Sequence, residues 1–506
     1  MALLTEVIDN FGGGIHHGSP TIDLPENTSI QLKNIAIKNR TYISNRKGFT
    51  RFSRSRIRVG GIEQPISGLF EYNYEGTKTL LVTAGTKLYT YNTTTHTYTD
   101  SGITITTGYK QHFLKHYENI IMYNGVDTPV YYDGTSFTEL SNAPTGNFME
   151  SYTGTIFAST NDNYMKVQFS KDYGSFTEWP GTYNQLVSES KFDRMRAFKK
   201  VNDFIGGLAF SDEEAYTLSG SNLNDYVFLP LFRGNGCLNQ EVLQIEDGIP
   251  IWLNRKGFHT LDSRKPIRFN QLDNVFTDVQ MGQFDNAWAV KYWGGLNSFP
   301  QYLCALTLGN GQTVNNYIFK YDYVSGGWTY DTGMPCKILA NGKDSDDNEI
   351  LYGVNNDGWI YQLYDGESDY EKAISSSYIS YPVTFRQELG KAAPYKEKQL
   401  QEIEIWYRSK YDGQFDVMVV GDFDGNEFPG SGVMQSCTIE GEGDPPSHYY
   451  FDAMESTSHF LRNKVAKHFS ISPGNISGRS FGIRIDCNDP AQDWEILKII
   501  IKASEK

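Results

Sequence analysis

Side chains able to do chemistry are rarely grouped at useful spacings in this 506-residue chain. It has no H-E-x-x-H pair for zinc, no G-x-S-x-G nucleophile elbow, no Walker loop and no dinucleotide fingerprint. Two acidic loops, DSDDNE at 344–349 and DFDGNE at 422–427, have the oxygen density a calcium ion needs. Neither is a full EF-hand loop with its closing Glu, so solvated turns are the simpler reading. His16 and His17, in GGGIHHGSP, are adjacent imidazoles without a third ligand in register, which favours packing or interface roles over metal. No catalytic residue, metal or cofactor is expected.

One further pattern, SKDYGSFTEW, places Ser170, Asp172, Gly174 and Thr177 as in the S-x-D-x-G-x-x-T box that resembles sialidase-like propellers. In that box Ser and Asp cap a hairpin turn, so a turn on a blade is expected and not a glycosidase centre. Aromatic residues make up 14% of the chain, enough to stock a sugar-binding groove, but blades use the same residues as core filler. The aromatic count therefore decides nothing about function.

The elements that position these residues repeat. A short strand ending in an aromatic residue or Leu runs into a polar turn, and the next strand carries further aromatics, as in KLYTYNTTTHTYTDSG, PVYYDGTSFTEL and IFKYDYVSGGWTYDTG. Matching positions are Tyr91, Tyr132, Phe169, Leu218, Leu261, Tyr321 and Leu363, spaced 37 to 60 residues apart. That period fits four-stranded propeller blades. An all-β fold is expected, with a β-propeller of seven blades over 63–372, preceded by an N-terminal arm and leading strands over 1–62. Over 373–506 the pattern changes to two long alternating segments. Ile403, Ile405 and Tyr407 return after Asp412-Gly413 with Phe415, Val417 and Val419; Phe481, Ile483 and Ile485 are followed by Leu497, Ile499 and Ile501. These predict two hairpins in a C-terminal β-sandwich, with one helix at 459–469.

Composition sets limits on function. The five cysteines are widely spaced and in no C-x-x-C pair, so they read as reduced core thiols of a chain folded in cytosol. The start, MALLTEVIDNFGGG, lacks the basic region of a signal peptide, and no stretch approaches a membrane span. A formal net charge of −15 argues against a general nucleic-acid-coating role. Against this balance, residues 27–62 contain no Asp or Glu but hold Lys33, Lys38, Arg40, Arg46, Lys47, Arg51, Arg54, Arg56 and Arg58.

The sequence before the first blade, DNFGGGIHHGSPTIDLPENTSIQLKNIAIKNRTYISNRKGFTRF, resembles the opening of the β-propeller tail hub, nozzle or packaged DNA stabilisation proteins of short-tailed bacteriophages. The likeness rests on Phe11, Gly12, Gly13, Gly14 and Ile15 as a Phe-x-Gly-Gly-Ile element, on Leu32-Lys33-Asn34, on the turn Arg46-Lys47-Gly48-Phe49, and on Lys398 to Trp406 opening the C-terminal domain. The resemblance implies a structural virion protein without catalysis. As six copies it would form a ring in the tail or neck that extends the DNA channel, retains the packaged genome and anchors fibres or a needle. The partners so implied are further copies of the chain, adaptor or head-tail connector proteins, and tail fibre, tailspike or needle proteins. Double-stranded DNA would pass through transiently. The place would be the virion, after assembly in the host bacterial cytoplasm, with no membrane contact. The alternative is a propeller glycosidase or depolymerase acting on cell-surface polysaccharide, which needs paired carboxylates across a groove.

Three readings compete for the basic segment: a subunit or adaptor interface carried by Arg40, Arg46, Lys47, Arg51, Arg54, Arg56 and Arg58; a DNA-facing ring with Arg54, Arg56 and Arg58 on one face of a strand; or a solvated strand edge guarded by charge. The interface is the expected one, with Phe11, Gly12, Gly13, Asn34 and Gly48 as turn elements behind it.

Overall fold

The computed structural model describes residues 3–16, 24–39, 41–74, 76–162, 164–190, 193–202, 206–294, 299–370, 372–423, 432–440, 466–474, 476–488 and 493–506. The fold is all-β and its main body is a β-propeller. Six four-stranded antiparallel sheets stand separately, and the strands Trp288–Tyr292, Gln301–Leu306, Tyr317–Asp322 and Trp328–Thr332 form a further quartet. That quartet does not end at its outer strand. It runs on into a ten-stranded sheet, which is the departure from seven separate blades. The inner strand of the last blade, Ile338–Lys343, lies against that of the first, Ile66–Tyr74, and closes the circle; Lys343 N donates to Glu71 Oε1 at 2.9 Å.

Each of the seven repeat positions, from Tyr91 to Leu363, falls on the third strand of its blade. The signal is local because an Asx turn follows. Asn92 Oδ1 accepts from Thr94 N and Thr95 N, Asp133 Oδ1 from Thr135 N and Ser136 N, and Asp322 Oδ1 from Val324 N and Ser325 N. The SKDYGSFTEW box follows the third strand of the third blade, where Ser170 Oγ accepts from Ile156 N at 2.9 Å; the Asp172 side chain does not cap the turn as expected.

The last blade takes its outer strand from the other end of the chain. Phe49–Arg51 pairs antiparallel with Ile360–Leu363, joining parts of the sequence about 310 residues apart. Residues before it do not form a separate arm. Leu3–Ile8, Ile35–Lys38 and Tyr42–Asn45 lie in one sheet with the C-terminal strands Lys398–Ser409, Lys467–Ile471 and Trp494–Glu505. Thr28–Lys33 lies in the opposing sheet, between blade strand Trp328–Thr332 and Ser376–Ser380. Those two sheets form the sandwich.

Both expected hairpins are corrected. Lys398–Ser409 and Gly413–Gly421 do not pair, and neither do Phe481–Cys487 and Trp494–Glu505. Each pair arches from one sheet to the other, so the apolar faces meet across the core, where Phe415 stands edge-on to Trp494 at 5.3 Å. Alternation identifies the inward face of a strand but not its sheet. A register shift near Trp406 also makes Ile496, with Ile499 and Ile501, the buried residue in place of Leu497. Of the expected helix, 459–465 lies outside the described residues, and Lys467–Ile471 is a strand.

Candidate functional site

Where propeller and sandwich join, the motif residues of the N-terminal segment converge. Phe11 is buried edge-on to Tyr378 at 5.5 Å. Gly12, Gly13 and Gly14 run against Gly327-Trp328 of the outer blade strand. A Cβ on Gly14, at φ +67°, would lie 2.4 Å from Trp328 N, and one on Gly13 would lie 2.8 Å from Asn27 O. Asn34 takes the left-handed conformation with φ 55° and uses its whole amide. Its Nδ2 donates to Ser375 O at 2.8 Å and Thr332 Oγ1 at 3.1 Å, while Oδ1 accepts from Thr332 N at 2.7 Å and Arg46 Nε at 3.0 Å.

Arg46, expected at an interface, is 1% exposed inside its own subunit, which corrects that assignment. Its five N–H groups are all used: on Asn34, on Lys47 O and Thr332 O, and twice on Asp369 at 2.7 and 2.6 Å. Behind it Asp331, fully buried, holds Lys320 at 2.7 Å and accepts from Tyr364 Oη at 2.8 Å. Two cations and two carboxylates balance, as a buried cluster requires. Burial pulls the Arg46 guanidinium down, but its hydrogen bonds to Asp369 and the charge of Asp331 outweigh this and hold it above its ordinary value. The Lys320 ammonium is lowered, with burial prevailing over Asp331.

From Arg51 to Arg58 the basic segment follows the link from Phe49–Arg51 to the first inner strand, while Lys33 and Lys38 lie on sandwich strands. Arg54 and Arg56 are in irregular chain and Arg58 opens the short strand Arg58–Val59, so the three do not share one strand face. Arg56 is half-buried and pairs with Glu63, the first acid after the basic window; Arg58 reaches the same carboxylate at 3.1 Å and stays 58% exposed. Arg51 stacks 3.8 Å from the Trp359 ring and 4.5 Å from Tyr370, with Arg56 5.0 Å from Trp359. Lys47, Arg51 and Arg54 are exposed. Arg40 lies outside the described residues.

At the propeller axis a second group assembles, which sequence reading missed because its members come from four blades. Glu241, on the link between the fourth and fifth blades, bonds His112 Nδ1 of the second blade at 2.6 Å. His112 stacks on Trp288 at 5.4 Å and on Tyr123 at 5.3 Å. Gln240 Nε2 donates to Glu150 Oε2 at 3.2 Å, and Lys199 stands 3.6 Å from the same oxygen. Burial raises the Glu150 carboxyl despite Lys199. Burial acts the same way on Glu241, but His112 outweighs it and sets that carboxyl below the usual range. Lys110, beside Trp288, is pushed down to about 7 by burial.

The other expected features are plain. In the loop at 344–349, Asp344 Oδ1 caps its own turn through Asp346 N and Asn348 N, and no group of three metal-ligating side chains occurs among the described residues. Most of the acidic loop at 422–427, and His17, lie outside the described residues; His16 is half-buried, with its imidazole lowered by burial. All five cysteines are buried thiols. No described helix is long and apolar enough to cross a membrane.

No family model matches this chain, and no curated protein does. Among solved structures it is similar to the extracellular domain of a putative hybrid two component system from B. thetaiotaomicron, and to a second structure of that domain described as part of a putative one component system. Each is 10% identical with a TM-score of 0.33, over 79% of this chain and 43% of the other, so this chain spans under half the length of those proteins.

Proposed function

We propose that the chain is a structural virion protein of a short-tailed phage, a propeller subunit of a ring in the tail hub or nozzle. The ring lengthens the DNA channel, retains the packaged genome and offers its outer face to fibres or a needle. The observation that carries this reading is the joint itself. Gly12, Gly13, Asn34 and Arg46, residues of the resemblance, serve the attachment of sandwich to propeller, while Phe11 packs inside the sandwich and Gly48 seats the outer strand of the last blade. Behind that joint, Lys47, Arg51, Arg54 and Arg58 form an exposed basic edge on an acidic chain, suited to acidic surface on a neighbouring copy or adaptor. The His112–Glu241 bond spans the axis of the propeller, so DNA would pass between copies and not through one of them. Negative-stain micrographs of the purified protein, with sizing at micromolar concentration, should show closed rings of several copies. A strict monomer, absent from virions, would sink the proposal.

The polysaccharide-cleaving alternative has one observation in its favour. Glu150 and Glu241 share a site at the axis with one carboxyl raised and the other lowered, the division an acid and base pair requires. A reducing-end assay on capsular and lipopolysaccharide substrates decides it. Sugar release abolished in Glu150→Gln would replace the structural reading.

A further inference from the structure

The sandwich carries a carboxylate with no use in its packing. Along Leu3–Ile8 the inward positions are Leu4, Glu6 and Ile8, so a glutamate stands where the alternation calls for an apolar residue. Glu6 is 2% exposed. Tyr381 Oη donates to its Oε1 at a long 3.4 Å, and Oε2 has no hydrogen-bond partner among the described residues. A buried carboxylate oxygen left bare is costly in a finished core. The Glu6 side chain, with Oε2 itself closed to solvent, lines a pocket of about 280 Å³, with Leu24, Pro25 and Pro382 as apolar sides and Glu26 and Arg386 among the remaining lining. Glu26 and Glu388 add negative potential at Glu6.

We propose that this pocket binds an organic cation, an ammonium or guanidinium group on an alkyl stem, whose charged head meets the Glu6 carboxylate, turned toward the pocket by a change of side-chain rotamer, while the stem lies against Leu24, Pro25 and Pro382. The apolar walls fit methylenes better than a hydration shell. The described residues also offer no set of three ligands for a metal ion. Such a head is carried equally by a free alkylamine and by the Lys or Arg side chain of another copy of this chain.

The test uses the full-length protein at pH 8, where Glu6 is ionised, and titrates n-butylammonium, n-butylguanidinium and, separately, calcium chloride by calorimetry. Saturable binding of either organic cation, weakened at least fivefold in Glu6→Gln, supports the site. Glu6→Gln keeps the Tyr381 contact and removes only charge, and its unchanged circular dichroism spectrum confirms folding. Sizing in the same titrations separates the sources. If n-butylguanidinium disperses an assembly that Glu6→Gln fails to form, the natural cation is a side chain of another copy; binding without change of assembly assigns a free amine. No binding of either cation, a loss under fivefold in Glu6→Gln, or binding of calcium alone overturns the proposal. Because ring formation and cation binding are read separately, a ring without binding refutes this site and leaves the proposed function standing.

Discussion

Arg46 shows how a charge that looks destined for a partner is consumed at home. Its guanidinium is bidentate on Asp369, and both partners lie inside the protein, where the Coulomb attraction is strong and the loss of hydration costly. Removing one side of such a pair leaves the other bare. Arg46→Met is expected to lower stability by about 3 to 5 kcal/mol in denaturant unfolding. Asp369→Leu added to Arg46→Met should recover part of that loss, since the two effects share one contact. Glu6 gives the opposite sign. Burial, then the charge of Glu26, raises its carboxyl from 4.5 to about 7, so the folded state holds a proton that the unfolded chain releases first. Between those two values stability falls as pH rises. Glu6→Gln should therefore match wild type near pH 4 and exceed it at pH 8, by up to about 3 kcal/mol. Equal melting temperatures at both pH values would contradict the buried charge.

At the scale of elements, the outer strand Phe49–Arg51 decides whether the propeller is a closed ring of sheets. It must approach the turn at 366–370 closely, and Gly48 permits this: Gly48 N donates to Gly366 O at 3.0 Å, while a Cβ there would stand 1.9 Å from Ser368 O. Gly48→Ala should push the strand off its blade, costing about 3 kcal/mol, near the top of the overpacking range. Hydrogen exchange should show the effect as lost protection in 49–51 and 360–363 ahead of the other blades. Uniform loss across all blades would mean that this strand is not the closing element. The same joint explains why the sandwich cannot be a loosely attached module. Its sheet is continuous with a blade through Thr28–Lys33, so backbone hydrogen bonds cross between the two bodies.

For the whole molecule, the asymmetry of charge is the property that reaches other molecules. The exposed basic edge is small against a net charge of −15, so its effect depends on short-range complementarity and is screened over about 8 to 10 Å at physiological salt. Replacing Lys47, Arg54 and Arg58 by Gln should leave the monomer's melting temperature within 1 °C or so, because exposed charges contribute little to folding. It should weaken ring formation, and assembly of the wild type should weaken with added salt in the same direction. Rings of the triple variant with unchanged salt dependence would remove this edge from the interface and favour a solvated strand guard.

How much of this was legible in the sequence follows from the range of each interaction. The repeat positions Tyr91 to Leu363 were legible because a third strand and its Asx turn are bonded within a few residues of one another. The inward faces of the C-terminal strands were legible because alternation has a period of two. Sequence did not reveal that those strands arch between sheets, that Phe49–Arg51 belongs to the last blade, or that Arg46 meets Asp369 from 323 residues away. The axial group of His112, Glu150, Lys199 and Glu241 was equally hidden, since closure of the blades alone brings it together. The sequence by itself determined an all-β chain of blade-sized repeats with one basic window. Only the tertiary structure decided which of those charges face outward, because burial and pairing at long sequence separation are properties of the closed fold and not of neighbouring residues.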